Sequence, residues 1–336
     1  MHMANELLSV PVAAGTLGIA AAGLGFVCSK AKQMLTSEKL PLMGVLGAFV
    51  FAAQMVNFQL PLMPGTSGHM VGAVLLAVIL GPYAGTIVIS SVVIIQCLIF
   101  QDGGLLALGC NIINMGLVPC FLGYYIYRAL AANVGRGGLR LYIAAVIACT
   151  AAMEAGAGLV VAEAGLSNVL VVPAMTFLVT MLGVHLLVGA CEGLITAAVL
   201  AYLQQVRPDL VLRPLPGRAR LSKKAVLASL AVATVVVGAG LSLLASELPD
   251  GLEWSYADRP DQPAFKPVVS NDDPKVAAVD EFQSKYTPLP DYSARGKAAA
   301  GWTSFAAVTG SGLTMLVVWL AASLLARRRK AGTRSS

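Results

Sequence analysis

The stretch AMTFLVTMLGVHLLVGACEGLITAAVLAYL (174–203) decides the fold. It carries no Lys, Arg or Asp, and His185 and Glu192 stand out in an otherwise largely apolar run. A helix needs about 20 mostly apolar residues to cross the hydrocarbon of a bilayer, so this run is long enough to cross with some tilt. Polar and apolar residues do not alternate along it, as they would in a strand of a membrane barrel. The stretch therefore reads as a membrane-spanning helix.

The rest of the chain reads the same way. Of 336 residues, 57% are hydrophobic and 12% charged, about half the ~25% charge of soluble domains. That composition excludes a soluble globular protein, a disordered chain and a coiled coil. Abundant Gly and Ala suit close helix approach inside a bilayer. Nine apolar runs are candidate spans: 6–28, 40–59, 68–81, 84–100, 111–127, 141–162, 174–204, 223–246 and 301–326. The predicted fold class is all-α, a polytopic helical membrane protein with a seven-span core and two C-terminal spans.

Charge sets the predicted orientation. Lys30, Lys32 and Lys39, then Arg128, Arg136 and Arg140, then Arg207, Arg213, Arg218, Arg220, Lys223 and Lys224, and finally Arg327 to Lys330 fall on one side of such a chain. Loops 60–68, 101–110 and 163–173 on the other side hold no Lys or Arg. Basic loops stay cytoplasmic, which predicts an N-terminus outside and a C-terminus in the cytoplasm of a cell-membrane (inner-membrane) protein. The basic residues flank apolar spans, so no nucleic-acid partner is expected. The first span lacks a basic lead-in and is not expected to be a cleaved signal. The large His2 at position 2 disfavours removal of Met1.

A polar, proline-punctuated stretch divides the chain. The expected organisation is a seven-helix component at 1–205, a cytoplasmic linker at 206–222 and a two-span part at 223–336. Its outside loop, 247–300, holds 6 basic and 10 acidic residues, and this composition predicts a loosely ordered segment. Such a loop either enriches cations by its field or is a solvated connector.

Three histidines carry most of the chemical information. An N-terminal amine, the amide nitrogen of residue 2 and the His2 imidazole can close on one late divalent metal. A further imidazole would complete a planar set of nitrogens, which points to Ni(II) or Cu(II) rather than tetrahedral Zn(II). His69, on the same predicted side, is the natural partner. The alternative is an incidental histidine in a frayed terminus, and His69 alone is equally compatible with an interfacial role. His185 and Glu192 lie two turns apart on one helix face, and ionisable residues inside a span are functional by default. His185 reads as a direct ligand or as a support for one, and Glu192 as an acceptor from a ligating imidazole or as a packing group. Asp102, Asn111 and Asn114 lie where they can shape a lid or hydrogen-bond the site. Glu163 is expected at the membrane interface, and Glu154 to pair across helices or line the cavity.

The six cysteines lie in or beside apolar runs without a CxxC pair and read as small apolar side chains. The sequence contains no GxxxxGK[ST] phosphate loop and no HExxH, so neither ATP hydrolysis of that type nor a zinc protease is indicated.

Met1-His2, GTSGHMVGA (65–73), DGGLLALGCNIINMG (102–116) and VHLLVGACEGLIT (184–196) together resemble the CbiM/NikM family. These are substrate-binding membrane components of energy-coupling-factor nickel and cobalt transporters. ELPDGLEW (247–254) is similar to the PDGLE signature of their two-span N component. The resemblance implies an M component fused to an N component, with an extra helix before a six-helix core. It implies metal ligation by the Met1 amine, the His2 backbone and imidazole nitrogens, and His69; our own reading of the residues adds His185, Glu192, Asn111, Asn114 and Asp102 around the pocket. It also implies a transmembrane coupling subunit and cytoplasmic ATPase subunits as partners. Many family members begin Met-His-Ile-Pro-Asp-Gly, whereas this chain reads Met1-His2-Met3-Ala4-Asn5-Glu6, so the lead-in to the first helix is expected to differ.

The function expected is capture of Ni(II), or alternatively Co(II), from outside for uptake, with no enzymatic activity of the chain's own. Low-spin d⁸ Ni(II) gains most from a planar nitrogen field, and Co(II), for cobalamin synthesis, accepts the same donors. A membrane-embedded metal-dependent enzyme is the competing class, but few His or Cys residues are available for a three-ligand zinc site. A purely structural assembly subunit would bind no metal.

Overall fold

The computed structural model describes residues 1–36, 38–131, 138–210, 220–256, 268–295 and 300–332. Its helices are α1 (Val10–Met34), α2 (Leu40–Gln54), α3 (Ala73–Leu80), α4 (Pro82–Phe100), α5 (Leu108–Leu130), α6 (Leu139–Ser167), α7 (Ala174–Val206), α8 (Lys223–Leu244), α9 (Gly251–Tyr256), α10 (Pro274–Tyr286) and α11 (Ala300–Gly332). Two two-residue strands, β1 (Phe58–Gln59) and β2 (Ser67–Gly68), pair antiparallel as Phe58↔Gly68 and Gln59↔Ser67. The class is all-α, and the chain is a multi-pass membrane protein. Seven of the helices are long and apolar enough to cross a membrane.

The other two expected spans are shorter than predicted. α2 ends at Gln54, where the chain leaves the helix for the β1–β2 hairpin. α3 is only 8 residues long, because Gly72 at its N-cap has φ 79° and Gly81 at its C-cap has φ 90°. Such left-handed backbone ends a helix and suits glycine. The residues before Gly72 are used instead for β2 and the loop that carries His69.

Small residues allow the main packing. A Cβ at Gly189 of α7 would lie 2.7 Å from the Thr150 Cα of α6, so α6 and α7 meet backbone to backbone. A Cβ on Gly310 of α11 would sit 2.1 Å from the Phe51 ring of α2. The C-terminal spans thus seat directly on α2. Lys223, at the start of α8, pairs with Glu38 beside α2, which places two of the expected basic loops at one end of the bundle. Arg136, Arg213, Arg218 and linker residues 211–219 lie outside the described residues, as do the side chains of 328–330.

The loosely ordered loop expected at 247–300 is a correction. Among the described residues it forms α9, α10 and a short 3₁₀ turn at Pro290–Tyr292. Pro274 stands in the first turn of α10, and the Asp273 side chain accepts from Lys275 N at 2.9 Å, a start signal that depends on few apolar residues. Leu252, Val276 and Gln283 are buried against the spans. Among the described residues, Asp250 and Asp273 cap helices and Pro274 and Pro290 stand in first turns.

Candidate metal centre

The first eight residues do not fray. They fold back over the C-terminal end of α4 and the N-terminal end of α5, leaving Met1 4%, His2 9% and Met3 0% exposed. Asn111 of α5 holds this segment by its backbone. Its Oδ1 accepts from Met3 N at 2.8 Å and its Nδ2 donates to Met3 O at 3.2 Å, while Gly104 N donates to the same carbonyl at 2.8 Å. Gly103 has φ 92°, and a Cβ there would lie 2.7 Å from Asn111 Nδ2, so glycine is required for this approach. Asn114 donates to Glu163 Oε2 at 2.6 Å and faces Met3 Sδ at 3.7 Å. Glu163 is therefore a buried partner rather than the interfacial residue expected.

Met1, His2 and His69 converge. The Met1 amine lies 3.4 Å from His69 Nε2. The His2 and His69 rings stack with centroids 5.6 Å apart and planes inclined by 20°. His69 Nδ1 stands 3.1 Å from Met70 O. A carbonyl only accepts, so Nδ1 carries the hydrogen and Nε2 presents its lone pair to the amine. His2 Nδ1 lies 3.0 Å from Asp102 Oδ1, and its Nε2 lies 3.1 Å from Gln96 Oε1.

Two aspartates neutralise this cluster. Asp250 Oδ2 accepts from the Met1 amine at 2.7 Å and lies 3.7 Å from His69 Nε2. Its Oδ1 accepts from Leu252 N and Glu253 N, each at 2.8 Å, and Glu253 Oε2 accepts from Asp250 N at 2.9 Å. This reciprocal cap of α9 fixes the carboxylate. Burial would raise the Asp250 carboxyl, but the amine and His69 beside it hold it well below the usual carboxylate range. Burial opposes ionisation of Asp102 too, yet His2 and the Tyr292 hydroxyl hold it at about 2. Burial and the adjacent amine push His69 down, which favours the neutral ring a metal ion requires.

The remaining predicted residues act around the cluster. Glu192 accepts from Val71 N at 2.7 Å and Gly72 N at 3.0 Å. It therefore anchors the backbone of the His69 loop rather than accepting from an imidazole. His185 Nδ1 faces the Met181 carbonyl of its own helix at 2.7 Å, and its ring lies against Gly251, the residue that follows Asp250. Glu154 neither pairs across helices nor lines the main cavity; its Oε1 is enclosed without a hydrogen-bond partner among the described residues.

A cavity of about 700 Å³ opens beside the cluster, lined by His2, His69, Asp102, Asp250, Glu253 and Asp280 among others. Both ends of the chain build it. Ser67 N donates to Pro249 O at 2.9 Å, and Gln283 of α10 donates to Gly103 O at 2.9 Å while accepting from Asn5 Nδ2 at 3.0 Å.

Sequence reasoning missed Asp250, Tyr292, Gln54 and Gln96. The glutamines carried a usable signal, because an amide inside an apolar span needs a buried partner. Asp250 and Tyr292 carried none, since their contacts cross some 190 to 250 positions of sequence. Among the described residues, no three His, Cys, Asp or Glu side chains form a metal-holding group.

Comparison with known proteins agrees with this architecture. Residues 2–210 match the CbiM family, described as a cobalt uptake substrate-specific transmembrane region, and residues 224–327 match the PDGLE domain. A fused nickel transport protein NikMN of Rhodobacter capsulatus is 29% identical over 99% of this chain and 100% of its own length. A putative fused nickel transport protein NikMN of Archaeoglobus fulgidus is 37% identical over 66% of this chain and 72% of its own. A crystal structure of a truncated transition metal transporter covers 61% of this chain and 99% of its own, with 31% identity and a TM-score of 0.52. The chain therefore belongs to the CbiM family, carries a PDGLE domain on the same polypeptide, and is a multi-pass membrane protein of metal transport.

Proposed function

We propose that the chain is the substrate-capturing component of an energy-coupled importer, and that its substrate is Ni(II), taken from outside. The observation that carries this reading is the buried Met1 amine 3.4 Å from His69 Nε2, with the His2 ring stacked on His69. Metal–nitrogen bonds of about 2 Å place neighbouring donor atoms roughly 3–4 Å apart, so this spacing needs little adjustment. The ion binds to the Met1 amine, the His2 amide and Nδ1, and His69 Nε2. Asn111 holds the chelating segment through Met3, Asn114 supports the Met3 side chain, and Glu192 holds the His69 loop. His185 supports the surrounding helix without touching the ion.

Planar nitrogen ligation favours Ni(II), and Co(II) is the alternative substrate through the same donors. Asp102 and Asp250 offset the charge of the cation. Residues 1–205 capture the metal, 206–222 form a cytoplasmic linker, and 223–336 cover the site from outside. The N-terminus faces outside and the C-terminus the cytoplasm. No phosphate loop occurs in the sequence, so ATP hydrolysis belongs to separate cytoplasmic ATPase subunits acting through a transmembrane coupling subunit.

The test is calorimetric titration of the purified full chain with nickel, cobalt, copper and zinc, alone and in competition. Tight nickel binding that disappears when a short peptide precedes Met1 supports the reading. Equal binding by the extended chain overturns it.

A further inference from the structure

We propose that Gln54 and Gln96 form a directional hydrogen-bond relay that decides which nitrogen of His2 is presented to the ion. The relay rests on the chelate proposed above and adds two positioning residues to it.

The direction follows from its anchor. The Val71 carbonyl has no hydrogen, so the group 2.6 Å from it is the Gln54 NH₂, Nε2. Gln54 Oε1 then faces Gln96 and accepts from its Nε2 at 2.7 Å. Gln96 therefore turns its own oxygen, Oε1, toward His2 Nε2 at 3.1 Å. An amide oxygen only accepts, so His2 Nε2 must carry the hydrogen.

On the other side of the His2 ring the Tyr292 hydroxyl donates to Asp102 Oδ2. Asp102 Oδ1 faces His2 Nδ1 at 3.0 Å. Asp102 Oδ1 only accepts, so in the metal-free chain His2 Nδ1 carries a hydrogen as well as Nε2. Reversing either amide would set carbonyl oxygen against carbonyl oxygen, or NH₂ against NH, in buried surroundings where unmet polar groups are costly. Gln96 is 0% and Gln54 4% exposed, so solvent does not offer alternative partners.

The consequence concerns ligation. Once the ion holds the amine and amide of this backbone, Nδ1 is the ring nitrogen near enough to complete a small chelate ring. With one hydrogen held on Nε2 by Gln96, the hydrogen that the ring gives up on binding an ion is the one on Nδ1, and Nδ1 is the nitrogen freed for ligation. The same relay starts on the loop that bears His69, since Val71 follows it by two residues and Glu192 holds the Val71 N–H at 2.7 Å. One set of bonds thereby sets the direction of the His2 ring and its distance from the second imidazole. Outer partners of ligating histidines typically change metal affinity by about 10–100-fold.

The test uses the full chain and nickel alone. Gln96→Leu is expected to weaken nickel binding by about 10–100-fold and to shift the visible absorption away from that of a planar nitrogen site. A folded Gln96→Leu chain with unchanged affinity and spectrum overturns the relay.

Nitrogen–proton correlation spectra of ¹⁵N-histidine in the unmodified chain decide the matter even if Gln96→Leu fails to fold. His2 must carry a hydrogen on Nε2 without metal, and keep it there with Nδ1 on nickel. A hydrogen-free Nε2 in either state overturns the proposal. An unmodified chain that binds no nickel, or binds it equally well behind an N-terminal extension, defeats the chelate instead; the metal-free spectrum still tests the relay.

Discussion

Residues 1–8 and helix α1, which follows them directly, are treated in opposite ways. The terminal segment is short and partly polar and sits at the end of the chain, where fraying is the norm; yet its side chains at positions 1, 2, 3, 5, 7 and 8 are buried. α1 is long and apolar, and only 17% of its best spanning window is buried. Burial here does not follow hydrophobicity. In a bilayer an apolar helix face is content against lipid, since lipid tails are as apolar as another helix. Polar backbone has no such option and must find partners. The terminus is held because its nitrogens and carbonyls are met one by one by Asn111, Gly104, Asp250 and Asn271.

This contrast can be broken most severely at the first atom. A peptide added before Met1 converts the amine into an amide and displaces it from Asp250; nickel binding is expected to vanish in calorimetry. His69→Ala removes a donor but leaves the segment in place, and more than about a 100-fold loss of affinity is expected, beyond what an outer partner contributes. Unchanged nickel affinity in that variant would remove His69 from the ligand set.

Asn111→Leu removes the backbone clamp without touching a donor atom. A loss of about 10–100-fold in affinity is expected, with faster amide exchange at Met3 read by mass spectrometry. A variant that binds normally and keeps Met3 protected would show that the clamp is dispensable.

The Asp102–His2 pair gives a pH signature. The folded Asp102 carboxyl sits at about 2, below the 3.8 usual for aspartate. Its contribution is therefore full above the unfolded value and is lost as pH falls through 4 toward 2. A difference of that size corresponds to about 2 kcal/mol. Thermal unfolding should find Asp102→Asn less stable than the unmodified chain at pH 5, with the gap about halved at pH 3 and nearly closed at pH 2. The smallest effect is expected on α1: Leu17→Ala and Ile19→Ala, on its exposed face, should leave nickel affinity within about twofold, since surface changes of this kind seldom exceed half a kcal/mol.

The helical class and the location of every apolar segment were legible, because burial in lipid demands long uninterrupted runs and α7 is such a run. Helix ends were less so. α3 stops short because Gly72 and Gly81 take left-handed backbone, and composition does not reveal which glycine does so. Loop 247–295 was misjudged, because its order rests on caps at Asp250 and Asp273 and on a few buried residues such as Leu252 and Gln283 rather than on an apolar period. At the centre, His2 and His69 stood out as rare donors with suitable chemistry. Gln54 and Gln96 were passed over although an amide in a span always needs an explanation.

What the sequence settled by itself is therefore the local inventory: helices, because hydrophobic length is a property of consecutive residues, and scarce nitrogen donors, because three histidines can be counted. What only the tertiary structure decided is the company those donors keep. Asp250 reaches the amine of residue 1, and Tyr292 reaches Asp102, across most of the chain. Contacts of that range depend on how the helices pack, and no pattern of neighbouring residues encodes them.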